Sequence, residues 1–508
     1  MKALLMHPDQ DVDLQWELPP HQAALTQDLE LDTLFDAMAH GDQFLFQVAA
    51  RAVLSSLQDP EAICYRQQVL GDCLQQPAIV RELYGIAVEA IQHERKIWGV
   101  FMNSPDTILH HSLQVLELFV GILKRLRAIA DSQAGRFRSE GFARFFAMLA
   151  TELDDEYFLA VEAHLQELRF RRGVLLSAEL GKGNKGIRYV LRRAPELSWR
   201  ERLGLGTGSG YGFTIPDRDE NGFKALEELR ARGINQVANA LAQSTDHILS
   251  FFAMLRAELG FYVACLNLHE RLADMGEPTC FPEPVAPDIR ALATHGLYDV
   301  SLALHVRAGV VGNDVDADDR SLVMITGANQ GGKSTFLRSV GVAQLMLQCG
   351  MFVAAHPLRA SVVDAVFTHF KREEDATMES GKLDEELGRM SDIADAIAPN
   401  SLLLCNESFA ATNEREGSEI ARQVVRALLD SGVVVFFVTH LFDLAAGFYQ
   451  QELATALFLR AERQPDGRRT FRLVKGEPLP TSYGEDSYRR VFGAAPSPVP
   501  ATVADSRP

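Results

Sequence analysis

A chain of 508 residues that is 47% hydrophobic can build roughly two to four domains with real cores, and its composition argues against a disordered, collagenous or membrane class. Its 50 Lys and Arg stand against 68 Asp and Glu, a formal net charge of −18; a general basic coat for nucleic acid is excluded, so any such contact must come from local segments. The six cysteines show no CxxC or zinc spacing and read as small buried hydrophobes, the first residues lack a long apolar core, and no apolar run approaches the length of a membrane span, so the expected location is a reducing cytoplasm.

Residues 1–43 form a lead-in with prolines at positions 8, 19 and 20, then a helical pattern containing Leu29, Leu31, Leu34 and Phe35, to which no function attaches. A helical core or lever domain is expected over residues 44–277. Within it Asp59 is a fitting N-cap, with Pro60 and Glu61 in the first turn of a helix that continues through Ile63, Tyr65, Arg66 and Val69. Proline is absent from residues 106–194 and again from 217–277, the spacing of long helices. In the second stretch Ile234, Val237, Leu241, Ile248, Phe252, Leu255, Leu259, Tyr262 and Leu266 follow a three–four hydrophobic spacing, with Thr245 in a seam position. This rod is either an ordinary core helix or a lever.

Between the two helical stretches, residues 168–220 carry β-branched residues, a Gly-Lys-Gly-Asn-Lys-Gly turn at 181–186 and five glycines between 204 and 212, which predicts a small hairpin-rich insertion. Residues 167–202 hold ten basic against four acidic side chains, a local charge near +6. Lys182, Lys185, Arg188, Arg192 and Arg193 are therefore candidate contacts to a DNA backbone, and a solvated basic face without a partner stays open beside that reading. Prolines at 278, 282, 284 and 287 then predict a linker over residues 278–297.

The last domain, residues 298–493, is predicted as a P-loop α/β ATPase, so the whole chain reads as a multidomain α plus α/β protein. An apolar run at 321–325 leads into Gly327, Ala328, Asn329, Gln330, Gly331, Gly332, Lys333 and Ser334, and a helix pattern begins at Thr335. This is G-x-x-x-x-G-K-S between a strand and a helix, where backbone N–H groups and the helix N-terminus cradle phosphates, Lys333 reaches the outer phosphates and Ser334 is placed for Mg2+. A second apolar strand at 401–405 ends in Asn406 and Glu407, where a P-loop NTPase keeps its metal-binding and water-orienting acids, and a third at 432–438 ends in Thr439 and His440. Strand ends of a parallel sheet point to the ligand crevice, so Glu407 and His440 are expected to face the phosphates as catalytic groups with Lys333. Asn406 offers a neutral oxygen where an Asp is usual, which predicts nucleotide binding with slow hydrolysis. Residues 494–508 read as a disordered tail.

These motifs, with Thr412, Asn413, Glu416 and Gly417 after Glu407, Asn313 and Asp314 upstream, and Lys475-Gly476 and Ser482-Tyr483-Gly484 near the end, resemble the ATPase domain of the MutS family of DNA mismatch-repair proteins. The Asp59–Leu70 run is similar to the start of the helical core in MutS-like proteins. The resemblance implies ATP and Mg2+ as cofactors, with Asn313 in the nucleotide site. It also implies a clamp on double-stranded or branched DNA at the basic insertion, and a homodimer in which Ser380 or Gly381 completes the neighbouring subunit's nucleotide site. The Phe281-Pro-Glu tripeptide resembles the family's mismatch-reading wedge but is rejected as one, because the wedge belongs to an N-terminal domain and this chain begins almost at the helical core. The leading expectation is a DNA-associated ATPase switch; the alternative is a nucleotide-switched protein-interaction scaffold with no direct DNA role. A detached transporter ATPase ranks third.

Overall fold

The computed structural model describes residues 1–12, 18–97, 104–171, 173–193, 212–372, 381–464 and 466–480. Ser380, residues 204–211 of the glycine run, Ser482-Tyr483-Gly484 and the 494–508 tail lie outside the described residues. The chain divides into two compact units, one of Met1–Val12 and Gln75–Leu259, the other of Asp13–Leu74 and Gly260–Pro508.

Helices α1 (Gln22–Asp28), α2 (Leu31–Ala39), α3 (Gln43–Leu54) and, through Leu74, α4 (Pro60–Gln75) belong to the second unit. A boundary at residue 44 thus divides helices that pack together. Arg66 on α4 supplies a reason: it is 1% exposed, donates from Nη1 to the Cys349 carbonyl at 3.0 Å and lies 5.6 Å from the Phe261 ring centroid. A buried guanidinium needs such partners, and the carbonyl it takes is an orphan beyond a helix end.

The first unit holds α5 (Pro77–Ile97), α6 (Pro105–Gln133), α7 (Glu140–Glu152) and α8 (Asp155–Leu168). The proline-free stretch is therefore several helices. Ser139 accepts from the Phe142 N–H at 3.4 Å and Asp154 from the Tyr157 N–H at 2.7 Å, two N-caps that restart the chain. Next come the antiparallel strands β1 (Leu175–Leu180) and β2 (Gly186–Arg192). The 55-residue α9 (Glu220–Asp274) follows, in this unit as far as Leu259 and in the second from Gly260, with Ile234, Phe252, Leu255, Leu259 and Tyr262 fully buried along the expected seam. Thr245 settles its hydroxyl on the Leu241 carbonyl of the same helix at 3.0 Å. Within this unit Phe252 meets Phe119 of α6 at 5.5 Å, and the fully buried Glu258 accepts from the Leu5 N–H at 2.5 Å, which binds the first residues of the chain to the helical unit. Part of α9 is apolar enough to cross a membrane, with mean hydropathy 1.5, but 72% of that stretch is buried, as in a core helix.

The second unit continues with β3 (Glu283–Val285), β4 (Leu292–Leu297), α10 (Val300–Val306), β5 (Asn313–Asp316), β6 (Leu322–Gly327) and α11 (Lys333–Gln348). Then follow β7 (Leu358–Ser361), β8 (Val366–Phe370), α12 (Lys382–Ala396), β9 (Leu402–Asn406) and α13 (Glu414–Asp430). The last elements are β10 (Val434–Val438), α14 (Phe442–Tyr449), β11 (Ala456–Arg463) and β12 (Arg469–Lys475). A six-stranded sheet runs β12-β11-β6-β10-β9-β8, parallel except for β12, and a four-stranded sheet runs β3-β7-β4-β5. The expected linker at 278–297 therefore contains two strands of the smaller sheet. Phe281-Pro-Glu leads into its edge strand β3, where Pro284 is tolerated because an edge residue need not donate to a neighbour. The central strands β6, β9 and β10 are largely apolar because both faces are covered; Met390, Val425, Leu444 and Phe448 from α12, α13 and α14 pack with Leu322, Leu403, Val435 and Phe437 in one core. The C-terminal ends of β6, β9 and β10 meet where the strand order reverses, the place where such sheets take ligands.

Candidate nucleotide site and basic hairpin

Close approach by β11 and β12 dictates the composition of the phosphate loop. Gly327 has φ 107°, and a Cβ there would stand 2.9 Å from the Ala461 N; one on Gly331 would stand 2.7 Å from the Ala461 Cβ. Only glycine fits. The outer side of the loop is held by the Arg469 Nε, which donates to the Asn329 carbonyl at 3.2 Å. Lys333 opens α11 and is nearly buried, and its Nζ donates to the Gly327 and Ala328 carbonyls at 3.0 Å each. Burial pulls its pKa down from 10.5 to about 8, against the nearby Glu407 charge that favours the ammonium, with Arg469 lowering it further.

One residue along, the Ser334 hydroxyl donates to the Asn406 Oδ1 at 2.8 Å, joining the first turn of α11 to the end of β9. Beside this pair the His440 Nε2 lies 2.8 Å from the Glu407 Oε1. That hydrogen bond, ahead of the opposing effect of burial, holds the Glu407 carboxyl below its ordinary range and therefore ionised. Adjacent strand ends in a parallel sheet bring the two side chains together, so His440 aims at the glutamate.

A cavity of about 410 Å³ adjoins the loop, lined by Leu302, Val310, Val311, Thr335, Phe336 and Phe471 among others, with Gln330 and Gly332 at its edge. Asn313 lines it too, yet both ends of its amide serve β12: Oδ1 accepts from the Leu473 N–H at 2.7 Å and Nδ2 donates to the Phe471 carbonyl at 3.3 Å. Its place is in the wall. Gly381 is the N-cap of α12, with extended backbone at φ −63° and ψ 152°. No group of three or more His, Cys, Asp or Glu able to hold a metal occurs among the described residues.

In the other unit, Lys182 and Lys185 stand exposed at the hairpin turn. The remaining candidates are engaged: Arg188 pairs with Glu179 at 3.1 Å, Arg193 pairs with Glu167, and the Arg192 Nε donates to the Ser177 Oγ at 2.9 Å. The excess charge counted from sequence is thus partly neutralised within the hairpin and the end of α8. Sequence reading missed Arg469, Ala461 and Phe471, which reach the phosphate loop from 130 to 140 residues downstream; no local motif marks them.

The chain matches the MutS2 N-terminal domain over residues 58–275 and MutS domain V over residues 323–499. It is similar to the DNA mismatch repair protein MutS 2 of Halobacterium salinarum, 33% identical over 38% of this chain and 22% of that protein, and to the DNA mismatch repair protein MutS of Methanococcoides burtonii, 32% identical over 39% and 22%. A third relative, Endonuclease MutS2 of Lacticaseibacillus casei, is 29% identical over 50% of this chain and 32% of its own. The chain thus matches only 22 to 32% of the length of these relatives. The two domain matches, agreeing with a phosphate loop, an Asn406-Glu407 strand end and a Glu407–His440 pair built as described, assign the chain to the MutS family.

Proposed function

We propose that this chain is an ATP-driven switch that acts on DNA, in mismatch repair or in the handling of recombination-type structures, in the cytoplasm. The observation that carries the reading is the convergence of Lys333, the Ser334–Asn406 pair and the Glu407–His440 pair at neighbouring strand ends beside one cavity. In this reading the N–H groups of residues 328–334 cradle the phosphates, and Lys333 exchanges its carbonyl partners for phosphate oxygens. The apolar cavity takes the base. Glu407, ionised and held by His440, accepts a hydrogen bond from the attacking water and fixes its direction. Ser334 and Asn406 would hold Mg2+, which would supply positive charge against that of the phosphates. Two neutral oxygens fit that ion with little protein charge, so hydrolysis is slow. The seat of Gly381 at the start of α12 supports a dimer in which that end, with Ser380, meets the partner's nucleotide.

The test is ATP turnover with no DNA, plain duplex, mismatched duplex and branched DNA, with Lys333→Ala as the blank. Turnover above the blank that responds to DNA supports the reading; nucleotide-independent behaviour overturns it. The partly neutralised hairpin, with Leu175, Leu180, Ile187 and Val190 all more than 40% exposed, favours a second reading in which the nucleotide switches a protein-docking arm. DNA binding that weakens steeply with salt separates the two.

A further inference from the structure

The turn that carries Glu407 is fastened from behind by side chains outside the nucleotide crevice. Glu407 and Phe409 both have positive φ, 55° and 62°, a left-handed backbone that such residues keep only where the surroundings impose it. Between them Ser408 is fully buried, and its hydroxyl lies 2.7 Å from both the His369 carbonyl and the His369 Nδ1. The His369 Nε2 is 3.0 Å from the Glu386 carbonyl in α12. A carbonyl only accepts, so Nε2 carries the proton, and the Ser408 hydroxyl donates to the His369 carbonyl while the unprotonated Nδ1 of the neutral ring faces the same hydroxyl. Burial, helped by Arg389 and Arg372, pushes this histidine down to about 4 and keeps it neutral.

Glu386 closes the ring from the other side. Burial raises its carboxyl, and the backbone N–H of Phe409 opposes that rise. The His369 ring stacks on Phe409, centroids 5.5 Å apart, and α12 is tied to β8 by Arg389, whose Nη2 donates to the Phe370 carbonyl at 2.9 Å. Four residues from β8, α12 and the turn after β9 therefore enclose one another in the core of the second unit.

We infer that His369 and Glu386 are positioning residues for the Glu407 carboxylate, joining its turn to α12 so that the helix beginning beside Gly381 and the water-directing glutamate move together. The inference rests on the ATPase reading of Glu407. Its consequence is that a ligand engaging the start of α12, a partner's triphosphate in the dimer, reports directly to the glutamate of the same chain.

The experiment is steady-state ATP turnover and nucleotide affinity of the full chain as wild type, His369→Phe, His369→Gln, Glu386→Gln and Ser408→Ala. Expected for His369→Phe is a kcat lower by about 10- to 100-fold, the scale of a displaced catalytic group, with nucleotide affinity and KM within about twofold, and a smaller loss of the same kind for Glu386→Gln, whose amide oxygen still accepts from the Phe409 N–H. His369→Gln, which restores a donor toward the Glu386 carbonyl, recovers part of the loss. Unchanged kcat in folded His369→Phe overturns the inference, as does a parallel loss of kcat, affinity and melting temperature, which marks a merely structural cluster. Should His369→Phe not fold, Ser408→Ala removes only a hydroxyl and carries the same expectation and the same refutation. Wild-type turnover no higher than that of Lys333→Ala removes the ATPase reading and this inference with it, an outcome distinct from normal wild-type turnover with indifferent variants.

Discussion

Lys333 is 5% exposed and spends its ammonium on two backbone carbonyls, whereas the side chains of Arg188 and Arg193 in the hairpin region are 77% and 81% exposed. In the crevice, burial makes each charge depend on its neighbours, and strand ends fix those neighbours to within a hydrogen bond. Across the hairpin, water screens each charge, so an anion there feels the sum. Single substitutions should therefore be severe and specific in the first region, and shallow and additive in the second.

The sharpest contrast comes from Glu407→Gln, which keeps shape and the His440 contact but removes the water-orienting charge. Turnover is expected to fall by about 10²- to 10⁴-fold with ATP still retained, as read by single-turnover hydrolysis and nucleotide binding. Lys333→Ala is expected to cost about 10²- to 10³-fold in turnover and to weaken nucleotide binding as well, since the lysine meets the ground state and the transition state alike. Equal, mild effects from both would erase the distinction between the two regions.

The separation of crevice from hairpin was readable in the residues because strand, loop and helix of the phosphate site are contiguous from Leu322 to Gln348. Asn406, Glu407 and His440 were readable for a related reason: each follows an apolar run short enough to be a buried parallel strand. Contacts made across the sheet were not. Asn313 is spent on β12, Arg469 braces Asn329, and His369 grips Ser408, and none of these pairings has a local pattern. Prolines misled at 278–287, since an edge strand accepts them; their absence at 106–194 does accompany the 29-residue α6, but the breaks after it, where Ser139 and Asp154 start new helices, carry no proline to mark them.

A pH dependence tests whether burial governs the crevice. With the Lys333 pKa near 8 in the nucleotide-free protein, ATP needs the charged form, so apparent affinity is flat below that pH and falls by about tenfold per unit above it, with a proton taken up on binding. The sign for stability is opposite. Between about 8 and 10.5 the unfolded chain holds more protons at this lysine, so the nucleotide-free fold gains stability as pH rises through the window. Affinity that ignores pH from 7 to about 9 would remove the buried lysine from the account. Smaller again is Asn406→Asp, expected to raise turnover by about tenfold by giving the metal shell a charged acceptor; equal turnover would mean that Ser334 and the phosphates already hold the ion well enough.

The hairpin makes the weakest demand and the one most able to break the comparison. Salt dependence of DNA binding reads how many phosphates the protein neutralises, with a slope near −0.9 for each. Lys185→Ala should make that slope shallower by about 0.9, because an exposed lysine at the turn is available to a phosphate. Arg188→Ala should change it less, because Glu179 at 3.1 Å already balances that guanidinium and is released by the same substitution. If Arg188→Ala proves the more damaging, the arginine has left its glutamate for DNA, and the hairpin would then be an organised site like the crevice. If neither change moves the slope, the cations there serve solubility and the arm binds protein.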